Sequence, residues 1–333
     1  MAGPTSMRAV SGVAWVAAAF AAALMTASAV SAEAFPGRNV VRIVCPAGPG
    51  TPPDVVGRII ANEIAEAEGW RVIVENKPGA LQTIAMADVL KQPPDGLSVF
   101  MMSAGVVATP ALMPDKGLRP DVDFAAVVEI GAAPLLLVVH PSVAAASVRE
   151  LVALIKASSD KLTFSSGGFG TPGHLAGELF KIATGAPAVI VPYQQAPQRV
   201  ADSLAGTTHA AFYNVPAVVD HIATGRLRAV AVTSQARIAA LRDVPSIVEQ
   251  GFPGLLISDW QGFAVKQGSP RDAVDALNAA ANRALAKPKI RAELSRLGYE
   301  PVGGTSETFG ALVSSEVRYW GRVVVESKIT TSR

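Results

Sequence analysis

Residues 168–173, Gly168-Phe169-Gly170-Thr171-Pro172-Gly173, place a glycine-rich turn between an apolar, strand-like run at 161–164 and a helix. Thr171 is a suitable N-cap, and Pro172 falls where a first-turn proline is tolerated. The unpaired N–H groups of such a turn form a donor-rich, positive cup for a carboxylate, phosphate or sulfate. Ser166 precedes the turn, and His174 lies in the first turn of the helix, where it can donate to an anion or simply cap the loop. A second breaker-rich loop has a similar setting: Ala47, Gly48, Gly50 and Thr51 follow a strand-like run, and Asp54 is the expected cap of the next helix. Ser103 and Ala104 form a small-residue loop after a third strand. Asn214 sits at a strand-to-helix junction, where its amide can bond a ligand oxygen or form the turn.

The pattern Gly168-x-Gly170-x-x-Gly173 matches a dinucleotide fingerprint in form. That reading needs an acid at the end of the following strand for the ribose. Here 188–191 runs into Pro192-Tyr193, and Pro172 removes a donor from the motif. An anion cup without a nucleotide is favoured by these residues over a tight turn without a ligand, and a nucleotide-binding enzyme built on Gly168 to Gly173 is the third reading. Catalytic signatures are thin. The histidines are His140, His174, His209 and His221, and H-E-x-x-H, G-x-S-x-G and C-x-x-C are all missing. Ser165, Ser166 and His174 are close in sequence but lack a nucleophile elbow. Trp260 reads as core or hinge packing.

These loops need rigid elements behind them. Strand-like runs at 39–44, 71–75, 97–102, 135–139, 161–164, 189–191, 209–213, 227–233 and 259–265 alternate with helical patterns up to about residue 249, where a short helix is expected at 245–249. The C-terminal part, 271–286, 288–297 and 305–326, reads as helical. Strands alternating with helices imply parallel α/β architecture, with ligands bound at the carboxyl ends of strands. Strand, glycine loop and helix occur at 40–68 and again at 161–184, which suggests a cleft with an anion cup on each wall.

The chain has 333 residues, enough for two domains. Its 29 basic and 27 acidic residues give a formal net charge of +2, too near neutral for a nucleic-acid or anionic-membrane binder. A single cysteine, Cys45, excludes an intrachain disulfide and reads as a buried thiol. Residues 1–34 have a short basic start, an apolar stretch and small residues, the pattern of a cleaved secretory signal processed after Ala32 or Ala34.

Several stretches in order resemble the periplasmic solute receptors of tripartite tricarboxylate transporters, the Bug receptors. They include Val41-Arg42-Ile43-Val44, Val74-Glu75-Asn76-Lys77-Pro78-Gly79-Ala80, Pro94-Asp95-Gly96, His174-Leu175-Ala176-Gly177-Glu178-Leu179-Phe180, Val191-Pro192-Tyr193, Gly225 to Ser234 and Asp243-Val244-Pro245-Ser246. The resemblance spans the chain from about residue 35. It implies a type II periplasmic binding protein: an α/β fold of two lobes, 35–138 plus 262–333 and 139–261, joined by crossing strands near 135–139 and 258–265. It implies a monomer without cofactor or catalysis. Such a receptor would hold a small carboxylate and serve the membrane subunits of a tripartite transporter, or a sensor kinase. By position, it assigns the ligand to Ala47, Gly48, Gly50, Thr51, Asp54, Ser103, Ala104, Ser166, Gly168, Gly170, Thr171, His174 and Asn214. Departures from the family pattern fall at Ala47, Thr51, Pro52-Pro53, Gln194-Gln195 and Tyr213.

Overall fold

The computed structural model describes residues 35–158, 162–193 and 195–326. The expected signal segment 1–34 lies outside the described residues. Among the described residues ten strands carry the fold: β1 Val40–Cys45, β2 Arg71–Asn76, β3 Ser98–Ser103, β4 Phe124–Val139, β5 Thr163–Ser166, β6 Val189–Pro192, β7 Ala210–Asn214, β8 Arg228–Val232, β9 Ser258–Lys266 and β10 Glu300–Gly303. Their order is β2-β1-β3-β9-β4-β7-β5-β6, with β10 and β8 also paired to β4.

The sheet has two halves, and β4 belongs to both. Its first part pairs antiparallel with β9 and β10, and its last part, from Leu135, pairs antiparallel with β7 and β8. The change of partner falls at Pro134, the last residue in register with β9. Proline has no N–H to give a ladder, so a break in pairing is least costly there. Within each half the pairs β1–β2, β1–β3, β5–β6 and β5–β7 are parallel. Sequence periodicity predicts only the end of β4 as strand, but the whole span is extended.

Helices cover both halves: α1 Pro52–Glu68, α2 Thr83–Leu90, α3 Val148–Ala157, α4 Pro172–Thr184, α5 Ala196–Leu204, α6 Val215–Ala223, α7 Arg271–Ala286, α8 Pro288–Arg296 and α9 Ser306–Glu326. In α1, Val56, Ile60 and Ile64 recur at helical spacing, and all three are buried. They join Val41 and Ile43 of β1 and Val274 and Leu277 of α7 in one apolar cluster. A larger cluster packs Phe164, Phe180 and Phe212 behind the 167–173 loop and continues to Phe100, Trp260 and Phe309. Burying such side chains stabilises by roughly 1.5–3 kcal/mol each. Trp260 is accordingly core, edge-on to Phe309 at 5.5 Å.

Two local expectations are corrected. Asp54 is not the cap of α1. Thr51 holds the N-cap position, with no side-chain cap bond, and Asp54 lies inside the first turn. The stretch 245–249 is a bridge and turn instead of a helix, with Ser246 paired to Val232. Between α8 and α9, where the sequence reading assigns no element, the chain forms a further strand. β10, four residues containing a proline, pairs with β4 and is too short to show periodicity.

Candidate ligand-binding cleft

A cleft of about 600 Å³ opens at the carboxyl ends of β1 and β3 on one side and β5 and β7 on the other. Parallel α/β sheets leave such space where connections diverge. Among the residues read from sequence, Ala47, Thr51, Ser103, Gly168, Gly170, Thr171 and Asn214 line it. Gly48, Gly50, Asp54, Ala104, Ser166 and His174 are not on its surface.

The wall that opens α4 is built as a donor turn. Thr171 caps the helix, its Oγ1 accepting from the His174 N–H at 3.4 Å and donating to the Gly168 carbonyl at 2.8 Å. Gly170 takes a φ of +74°, which a residue with a side chain adopts only at a cost. Its N–H reaches Nδ1 of His174 at 3.4 Å. His174 is buried, and its ring stands edge-on to Phe169 at 5.1 Å. Burial holds the imidazole below its ordinary value, so it is neutral at pH 7 and shapes the loop from behind. The N–H of Gly173, in the first turn, has no partner among the described residues.

The opposite loop is not a matching anion cup. Pro52 and Pro53 have no N–H to offer. The Gly50 N–H is taken by Asp54 Oδ2 at 2.9 Å, and the Thr51 N–H by the Gly48 carbonyl at 3.3 Å. The other Asp54 oxygen accepts from Arg58 Nε at 2.9 Å and from Asn76 Nδ2 at 2.8 Å. Burial alone would raise the Asp54 carboxyl, but these donors outweigh it and hold it below its ordinary value. A built-in carboxylate therefore occupies the start of α1, and the expected symmetry of two anion cups fails.

Two groups on the floor of the cleft, Asp259 and Gln261, were not read from sequence. Asp259, buried in β9, accepts from Asn214 Nδ2 at 2.9 Å, from the Tyr299 hydroxyl at 2.7 Å and from Gln261 Nε2 at 3.0 Å. Burial still raises its carboxyl above the ordinary value, against the pull of those donors. The amide of Gln261 cannot turn round without setting its oxygen against this carboxylate. Its Oε1 is consequently buried and unpaired. Spacing in β9 offered no sign of this, because Asp259 and Gln261 fall in a run that reads as a buried strand.

Arg199, in α5, was also missed. Its Nη2 donates to the carbonyls of Ser165 at 3.0 Å and Phe212 at 2.7 Å. The guanidinium carbon lies 3.8 Å from the centroid of the Tyr213 ring, and the Tyr213 hydroxyl donates to the Arg199 carbonyl at 3.0 Å. Nε is buried without a partner. Burial pushes the guanidinium down to about 10, which leaves it cationic at neutral pH. The departure at Tyr213 was the available signal, since its ring is the platform for this cation.

A strained segment closes the cleft. Ala80, Leu81 and Gln82 have φ of 45°, 51° and 71°, three successive non-glycine residues in the left-handed region. Each costs about 1–2 kcal/mol. Bonds from Thr109 Oγ1 to the Leu81 carbonyl at 3.1 Å and from Ser103 Oγ to Gln82 Oε1 at 3.1 Å hold the segment. Leu81 then meets the 167–170 loop: a Cβ on Gly170 would lie 2.7 Å from its Cδ2. A Cβ on Gly105 would lie 2.6 Å from the Gly170 carbonyl oxygen.

The family described as "Tripartite tricarboxylate transporter family receptor" matches residues 47–329. A UPF0065 protein from the tcbD-tcbE intergenic region of a Pseudomonas species is 34% identical over 96% of this chain and 95% of its own. Protein BugT of Bordetella pertussis is 31% identical over 92% of this chain and 95% of its own. The structure of a Rhodopseudomonas palustris protein with adipate superimposes with a TM-score of 0.78 at 30% identity, covering 89% of this chain and 99% of that one. Fold, glycine-loop cleft and matched length agree: the chain belongs to the tripartite tricarboxylate transporter receptor family of periplasmic solute-binding proteins.

Proposed function

We propose that the mature chain is an exported, non-catalytic receptor that captures a small organic carboxylate in the cleft and presents it to membrane subunits of a tripartite tricarboxylate-type transporter. The observation that carries this reading is the donor turn at 167–173, facing a cleft large enough for a small organic acid. The adipate bound by the R. palustris relative supports the carboxylate class. The lobes would be 35–138 plus 262–333 and 139–261, with β4 and β9 as the crossing strands. Closing them over the ligand shifts the population by the contacts made only in the closed form. The location is the periplasm, reached through removal of 1–34, and the working form is a monomer. A receptor that signals to a sensor kinase would use the same cleft, and deletion of the transporter genes would separate the two roles.

A ligand that binds only the folded chain raises its melting temperature, by about 2.7 kcal/mol of stabilisation at a hundredfold excess over Kd. A thermal-shift screen of the processed protein against mono- and dicarboxylates is the test. Stabilisation by at least one acid is expected. Stabilisation by sugars or metal cations alone would overturn the reading.

A further inference from the structure

The cleft is electrostatically one-sided. Among the described residues that line it, Arg199 is the cation and Asp259 the carboxylate. Arg199 makes no ion pair with any described acid. An unpaired buried cation is costly, and its cost falls when an anion joins it. Arg199 lies beside the donor turn: a Cβ on Gly173 would come within 3.6 Å of Nη2 and 3.7 Å of Nη1. Gly173, whose N–H has no partner among the described residues, and the guanidinium thus lie side by side at one end of the cleft. The other end has no such cation. Arg58 is committed to Asp54 and Asn76, and the cleft surface there sets the apolar Pro46, Ala47, Pro52, Pro53, Leu81 and Met113 beside the uncharged polar Thr51, Gln82 and Ser103.

Resting on the carboxylate-receptor reading, we propose that Arg199 is the charged anchor for the ligand's head and that the ligand is a monocarboxylate with an apolar body. One carboxylate binds Arg199 and the donor turn. The rest of the ligand lies against the proline- and leucine-lined end. A second carboxylate would be stripped of water with no cation to meet it and with Asp259 on the same floor, so dicarboxylates are disfavoured. Tyr213 is a positioning residue, because its ring supports the guanidinium face.

The experiment is calorimetric titration of the processed wild-type protein with heptanoate, heptanedioate, malate and heptanamide, at one pH near 7. Heptanoate is expected to bind at least tenfold more tightly than either dicarboxylate, and heptanamide not detectably. Arg199→Gln should weaken heptanoate at least tenfold, and Arg199→Lys should recover part of that loss, because it restores charge without the planar fork. Circular dichroism of each variant checks folding; if Arg199→Gln does not fold, the wild-type comparison of acid, diacid and amide decides. Equal or tighter binding of a dicarboxylate, or an undiminished Arg199→Gln, overturns the proposal while leaving a carboxylate receptor in place. Equal binding of the amide, or failure of every acid, overturns both.

Discussion

Replacing Gly105 by alanine adds one methyl group where the two sides of the cleft meet. Gly105 belongs to the short turn after β3, and Gly170 belongs to the loop before α4. The added Cβ would lie 2.6 Å from the Gly170 carbonyl oxygen and 2.9 Å from Gln82 Nε2. Gln82 can swing away, being the end of a flexible side chain. The carbonyl is backbone, so the walls themselves must separate by several tenths of an ångström. The φ of Gly105 is not positive, so alanine brings no backbone strain of its own. Overpacking of this kind costs about 1–3 kcal/mol. If closure brings these walls together, the cost falls on the closed state alone, and Kd rises about 5- to 150-fold. Calorimetry with heptanoate measures the affinity, and thermal unfolding of the ligand-free protein measures the stability. A weaker Kd with an unchanged ligand-free melting temperature is expected. An unchanged Kd, or a ligand-free protein destabilised as much as binding is weakened, would refute the idea that these walls meet only on closure.

Gly170→Val places a β-branched residue at a φ of +74° and drives its Cβ to 2.7 Å from Leu81 Cδ2. It should abolish the thermal shift given by an acid, and an unchanged shift would remove this loop from the site. Asp259→Asn leaves the donors Asn214, Tyr299 and Gln261 facing an amide in place of a carboxylate. A loss of about 1–3 kcal/mol is expected in denaturant unfolding; no loss would contradict the network. His174 is held below its ordinary value by burial, so the unfolded chain takes up the proton first. Its contribution to stability is full above about pH 6.5 and is lost as pH falls below that. His174→Gln should flatten that part of the stability–pH curve, and an unaltered slope would refute the assignment. Cys45 is buried, and its thiol is pushed up to about 11 chiefly by that burial. It should react with a disulfide reagent at neutral pH only after denaturation, and rapid labelling of the native chain would contradict this.

Local chemistry made much of the molecule legible before its structure. Thr171 and Gly170 dictate the α4 turn through capping and left-handed freedom, and both can be read at short range. Gly69 likewise ends α1 at a φ of 68°. What sequence spacing could not show depends on residues brought together from far apart. Asp259 meets Tyr299 and Asn214 across 40 and 45 positions. Arg199 meets the Phe212 carbonyl and the Tyr213 ring through packing of α5 on β7, and a charged residue in a short amphipathic helix reads as a solvated face. Asp54 was misread because a cap and a first-turn acid differ by a few positions only. The run Gly79-Ala80-Leu81-Gln82 carries its left-handed backbone on residues that give no warning of it; the hydrogen bonds from Thr109 and Ser103 maintain it.

The most direct measurement is the melting temperature of the processed protein with each acid of a mono- and dicarboxylate series beside its neutral amide. The cleft chemistry predicts stabilisation by at least one acid and none by the matching amide, because the donor turn and Arg199 are arranged for an anion. Equal stabilisation by acid and amide, or none by any acid, would contradict a carboxylate receptor.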